Sequence, residues 1–114
     1  MNTRCLLVDD SPRFLAAART LLEREGVAVV GVASTGAEAL ERAGRLRPDV
    51  VLLDLHLGRE SGLDLAGRLP CDVILISTHA GDDYADLVDA SPAVGFISKA
   101  DLSAGAIRRL LEVA

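Results

Sequence analysis

The sequence predicts an α/β domain, a five-stranded parallel sheet of order 2-1-3-4-5 with helices on both faces. Five short runs rich in Val, Leu and Ile recur at regular intervals. Each is continuously apolar rather than alternating, as a parallel strand reads when helices cover both its faces. Segments of helical periodicity separate the runs, so strand and helix alternate five times, a pattern that folds through right-handed crossovers into a doubly wound sheet. No Gly-rich fingerprint follows the first run, which disfavours the longer dinucleotide-binding order and leaves 2-1-3-4-5 for a five-strand chain.

The expected strands are Cys5–Val8, Val27–Val32, Val50–Leu53, Val73–Ile76 and Val94–Ile97. The first helix has Ser11 as its cap, Pro12 at its opening position, an apolar face of Phe14, Leu15, Ala18, Leu21 and Leu22, and Gly26 as its stop. Thr35 and Glu38 form a capping box for a second helix that carries Leu40 and Ala43 and closes before Pro48. A third helix is expected over about Glu60–Leu69, ending at Pro70, and a fourth over about Asp82–Ala90, with acidic residues at its start and Pro92 beyond its end. Ser103 caps a fifth whose buried stripe is Ala106, Ile107, Leu110 and Leu111. Together these make a (βα)5 arrangement of the flavodoxin-like type.

A chain of 114 residues, half of them apolar, is long enough for one real core and too short for two, so residues 1–114 are expected to form one domain. No apolar stretch approaches a membrane span, and the N-terminal residues lack the basic start and long apolar run of a signal peptide; a cytoplasmic protein is expected. Cys5 and Cys71 then read as reduced thiols. A net charge of -5 disfavours direct binding to nucleic acid, which needs clustered cations. Eleven arginines accompany a single lysine, Lys99, which makes an ammonium at that one place conspicuous.

Ligands of such sheets bind beyond the carboxyl ends of the strands, where the strand order reverses. Asp9 and Asp10 follow the first expected strand, Asp54 the third, Ser77 and Thr78 the fourth, and Lys99 the fifth. Each alone is ordinary turn or cap chemistry; together they converge on one edge. Three carboxylates so placed repel one another and are tolerable around a bound cation, for which oxygen ligands select a hard ion: Mg2+ best, Ca2+ second. A carboxylate, a hard cation, a hydroxyl and a lysine about one point suit phosphoryl transfer to an aspartate.

LLVDDS at 6–11, VVLLDL at 50–55 with Gly62 eight residues after Asp54, VILIST at 73–78 and GFISK at 95–99 resemble, as a set, the response-regulator receiver family over essentially the whole chain. The resemblance is nearest to receivers of LuxR-type regulators, through the stretch at 77–79. It implies a signalling phosphoacceptor of a two-component system rather than a metabolic enzyme. Asp54 would take the phosphoryl group, Asp10 would ligate Mg2+ directly, Asp9 through water, and the His56 backbone carbonyl would be a further ligand. Ser77 would follow the phosphoryl group inward, with Thr78 the alternative hydroxyl, Phe96 would turn inward behind it, and Lys99 would hold a phosphoryl oxygen.

The resemblance also implies a histidine kinase as donor and, after phosphorylation, a rearranged face of the fourth helix, fifth strand and fifth helix, around Tyr84, Leu87, Phe96 and Arg108. That face would engage an output domain, a target protein or a second copy in a phosphorylation-linked homodimer. Two departures stand out. Ala100 follows Lys99 where proline is usual, and Gly58 stands where proline is frequent, which leaves the phosphorylation loop freer. His56, Thr78 and His79 would overhang the phosphoryl group and tune its lifetime by restricting the attacking water. Two other classes remain: a receiver-shaped interaction module that works without phosphate, against which the intact Asp9, Asp10, Asp54, Ser77 and Lys99 set argues, and an aspartate-nucleophile hydrolase, for which this length hardly provides a substrate pocket.

Overall fold

The computed structural model describes residues 3–78 and 85–112, with no account of the side chains of Ala85 and Leu87. Continuously apolar strands need cover on both faces, and they have it. In chain order the elements are β1 (Arg4–Val8), α1 (Pro12–Arg24), β2 (Ala28–Ala33), α2 (Gly36–Leu46), β3 (Val50–Asp54), the short β4 (His56–Leu57) and β5 (Glu60–Ser61), α3 (Gly62–Ala66), β6 (Asp72–Ser77), α4 (Ala85–Asp89), β7 (Gly95–Ser98), a 3-10 turn at Lys99–Asp101, and α5 (Ala104–Glu112). The main sheet is parallel with order β2-β1-β3-β6-β7, which is the expected 2-1-3-4-5 once the β4-β5 hairpin is set aside.

Alternate strand residues point to opposite faces, so the sheet divides the core in two. On one side Cys5, Leu7, Val50, Leu52, Ile74 and Ile76 pack with Leu15, Ala18 and Leu22 of α1 and Ile107 of α5. On the other, Leu6, Val8, Val51, Leu53 and Leu75 pack with Ala39 and Ala43 of α2, Leu65 of α3 and Val88 of α4. Burial of such side chains contributes about 1.5 to 3 kcal/mol each. This leaves the polar residues at the strand ends as the positions free to do chemistry.

The caps form where the sequence places them. The Ser11 hydroxyl accepts from the Phe14 N–H, the Thr35 hydroxyl from the Glu38 N–H and the Ser103 hydroxyl from the Ala106 N–H. Gly26, at φ +90, ends α1. Several expectations need correction. In α5 the buried residues are Ala104 and Ile107, while Ala106, Leu110 and Leu111 of the expected stripe are only partly buried at its margin. Leu21 is 38% exposed and is not part of the buried face of α1, whose stripe is Leu15, Ala18 and Leu22. The third helix is Gly62–Ala66 rather than Glu60–Leu69: Glu60 and Ser61 belong to the hairpin, Ser61 caps the helix, and the Arg68 N–H turns back to the Leu65 carbonyl. The expected start of the fourth helix at Asp82, together with Tyr84, lies outside the described residues.

Candidate functional site

β1, β3, β6 and β7 end side by side, and the residue after each apolar run is polar: Asp9, Asp54, Ser77 and, one residue past β7, Lys99. Asp9 has no exposed surface, Asp54 and Ser77 are buried, and Asp10 is exposed. Asp9, Asp10 and Asp54 each bring a carboxylate oxygen to one place, all within 4.8 Å of one another. The Lys99 ammonium enters from the turn after the edge strand β7, 2.6 Å from Asp9 Oδ2 and 3.5 Å from Asp54 Oδ2.

Each carboxylate has one oxygen held by the backbone. Asp9 Oδ1 accepts from the Ser11 N–H, Asp54 Oδ1 from the His56 N–H at 3.1 Å, and Asp10 Oδ2 from the Gly58 N–H at 3.1 Å. These bonds aim the remaining lone pairs at a common point. Asp9 Oδ2 is fully buried and accepts no well-formed hydrogen bond, its close neighbour being the Lys99 charge. Burial pushes the Asp54 carboxyl above its ordinary value, with the Asp9 and Asp10 charges adding to the rise and the His56 N–H and Lys99 opposing it. Crowded carboxylates and an under-satisfied buried oxygen fit a hard divalent cation, for which Asp9, Asp10 and Asp54 are the donors present.

The loop after Asp54 is shaped for this. Gly58 adopts φ +60 in the two-residue connection of the β4-β5 hairpin and donates its N–H to Asp10, two things proline cannot do. The frequent proline is therefore excluded here by geometry, and the loop is tied to the site instead of being released from it. A Cβ on Gly62 would overlap the Asp54 carbonyl oxygen, which explains the glycine eight residues after Asp54. At the other departure, Lys99–Asp101 turns as 3-10 helix, and no peptide bond among the described residues is cis.

Ser77 lies inside β6, opposite Ser98, and is 2% exposed, whereas Thr78 follows the strand and is exposed. Of the two candidate hydroxyls, that of Ser77 is therefore the buried one. Phe96 is half-buried in β7 opposite Leu75, and with Asp101, Ala106, Arg109 and Leu110 it lines an open groove between β7 and α5. On this face Arg109 rather than Arg108 lines the groove, because the Arg108 guanidinium reaches toward Gly26. His56 is exposed. His79 and the side chain of Leu87 lie outside the described residues. Phe14, which the sequence suggests only as core, places its ring under Lys99, 4.4 Å from the ammonium to the centroid.

The family model described as "Response regulator receiver domain" matches residues 5–111. Among solved structures, the signal receiver domain of NarL from Mycobacterium tuberculosis superposes with a TM-score of 0.82 at 30% identity, over 98% of this chain and 95% of that one. Among curated proteins, the chain is 48% identical over 61 residues to the transcriptional regulatory protein KdpE of Mycobacterium tuberculosis, covering 54% of this chain and 26% of that protein. It is 45% identical over 58 residues to a protein-glutamate methylesterase/protein-glutamine glutaminase of Hahella chejuensis, covering 51% of this chain and 17% of that one. The chain thus matches about a quarter or less of the length of these curated relatives.

Proposed function

The chain belongs to the response regulator receiver domain family, and from that premise we propose that residues 1–114 act as one receiver unit that accepts a phosphoryl group on Asp54 and passes on the change as a signal. The observation that carries this reading is the meeting of the Asp9, Asp10 and Asp54 carboxylates within 4.8 Å, with Lys99 in reach of both Asp9 and Asp54.

In this reading the donor is a phosphohistidine of a histidine kinase. An Asp54 carboxylate oxygen attacks phosphorus, the O–P bond forms as the N–P bond of the donor breaks, and the imidazole leaves with its electron pair and takes up a proton. Asp10 and Asp54 would hold Mg2+ directly, Asp9 through water, and the His56 carbonyl would complete the set; bound Mg2+ supplies neutralisation of the carboxylates and of the phosphoryl oxygens. The backbone N–H bonds to Asp9, Asp10 and Asp54 preorganise those side chains. Lys99 exchanges its contact with Asp9 for a phosphoryl oxygen, and Ser77 donates its hydroxyl proton to another. Those new contacts are differential, present only with the phosphoryl group, so they bias Ser77 and Phe96 toward a second arrangement of the groove between β7 and α5. That face serves an output domain, a target protein or a second copy.

Incubation with Mg2+ and acetyl phosphate, read by intact mass, is expected to add one phosphate to the wild type and none to Asp54→Asn. A phosphate gain that survives the substitution would overturn the assignment.

A further inference from the structure

Glu60 lies in the loop after Asp54 and is exposed, yet its carboxylate is held: Oε2 accepts the Gly36 N–H at 2.9 Å, across 24 residues of chain. Gly36 is the first residue of the 11-residue α2, so a carboxylate from one loop caps the helix of another and meets the positive end of its dipole. The fit is close. A Cβ on Gly36 would overlap the Glu60 carboxylate, so a side chain at 36 would make that flexible carboxylate shift from its present place.

Glu60 is also half of the pairing that builds the hairpin, with Leu57 opposite Glu60 and His56 opposite Ser61. That hairpin delivers the Gly58 N–H to Asp10 and the His56 N–H to Asp54. Resting on the metal-dependent reading above, we propose that Glu60 is a positioning residue: its bond to α2 latches the hairpin in the arrangement that aims Asp10 and Asp54 at the cation. A two-strand hairpin of this length has little stability of its own, so an anchor on α2 raises the fraction of molecules ready to bind. Apparent affinity scales with that fraction.

The test uses the whole chain and five forms: wild type, Glu60→Ala, Glu60→Gln, Gly36→Ala and the Glu60→Ala/Gly36→Ala double variant. Amide hydrogen exchange in metal-free protein reads the latch directly. Glu60→Ala is expected to speed exchange at Gly36 and also at Gly58, and acceleration confined to Gly36 would reduce Glu60 to a helix cap and overturn the proposal. Calorimetric Mg2+ binding is expected to weaken about fivefold in Glu60→Ala, the scale of losing one cap, and less in Glu60→Gln, which keeps an acceptor. Gly36→Ala, which makes the carboxylate shift while improving helix propensity, is expected to weaken Mg2+ in the same direction, and the double variant no further than Glu60→Ala. Additive losses, or unchanged Mg2+ affinity, would overturn the latch. Phosphorylation by acetyl phosphate should recover in Glu60→Ala at saturating Mg2+. A wild type that binds no Mg2+ would instead sink the metal-dependent reading, with the exchange pattern still deciding the mechanical coupling.

Discussion

The Lys99 ammonium sits 4.4 Å from the centroid of the Phe14 ring while also contacting Asp9 and Asp54. A cation over an aromatic face is worth roughly 0.5 to 2 kcal/mol, more as water is excluded, and the Lys99 side chain is only 14% exposed. The ring from α1 therefore helps keep the amine over the site. Phe14→Leu keeps an apolar residue but loses the quadrupole. Its phosphorylation by acetyl phosphate is expected to slow about threefold to tenfold, while Phe14→Tyr stays near wild type. Equal rates in all three forms would remove the ring from the chemistry.

Asp54 makes stability depend on pH with a definite sign. Its folded-state carboxyl titrates above the unfolded value, chiefly because it is buried. Between those two values the folded state holds more protons than the unfolded, so stability falls as pH rises through that window and stays lower above it. Asp54→Asn removes this penalty. In EDTA the variant is expected to melt above the wild type at pH 7, with the gap shrinking as pH drops below the raised value. Added Mg2+ should narrow the gap at pH 7 by stabilising the wild type. A variant that melts lower at pH 7 in EDTA would contradict the direction.

Gly62 is required by contact rather than by φ. Its amide donates to the Leu55 carbonyl at 2.9 Å, and an added Cβ would overlap the Asp54 carbonyl oxygen and crowd the Leu55 Cα. Both neighbours are backbone at the end of a fully buried strand, so they have little room to yield. Gly62→Ala is expected to lose about 1 to 3 kcal/mol in urea unfolding, the usual scale of overpacking, and to bind Mg2+ more weakly because Asp54 shifts. An unchanged denaturation midpoint would show that the loop can relax.

Much of this was legible because the signals are local. Continuous Val, Leu and Ile runs place β1, β3 and β6 within a residue of their observed ends, and Ser11, Thr35 and Ser103 cap through hydrogen bonds to residues three positions on. Asp9, Asp10, Asp54 and Lys99 could be grouped because strand order alone brings strand ends together. What escaped depends on distant partners. Glu60 reads as a helix residue until Gly36, 24 positions away, takes its carboxylate. Leu21 fits the apolar period of α1 yet falls at the edge of its buried stripe. The bond from the Ala104 N–H to Glu25, 79 residues back, ties α5 to the end of α1 with no local trace.

His56 is exposed, and its own N–H is bonded to Asp54 Oδ1, so its side chain starts from the rim of the site. If Asp54 carries the phosphoryl group as proposed, a side chain at that rim would restrict the approach of water to it. His56→Ala is expected to shorten the phosphorylated lifetime, with the phosphorylation rate little changed, because the group lost would act on the attacking water and not on the donor. Loss of intact phosphoprotein mass over time checks it, and an unchanged decay would remove His56 from control of the lifetime.

Lys99 has a second duty, as counter-charge to the carboxylates. Asp9 is fully buried, and its Oδ2 has the Lys99 ammonium as its close neighbour at 2.6 Å. Removing one partner of a buried pair typically costs about 3 to 5 kcal/mol, because the other charge is left uncompensated. Lys99→Ala should therefore unfold at lower urea than wild type in EDTA. On the proposed reading Mg2+ would bind the folded state and supply the missing positive charge, so it should stabilise Lys99→Ala more than wild type, by the linkage between ligand binding and unfolding. Lys99→Arg, which keeps the charge, should stay close to wild type in EDTA yet be slower in phosphorylation, because a planar guanidinium cannot replace a point charge in that space. Equal Mg2+ stabilisation of Lys99→Ala and wild type would mean that the lysine and the cation do not share the same carboxylates.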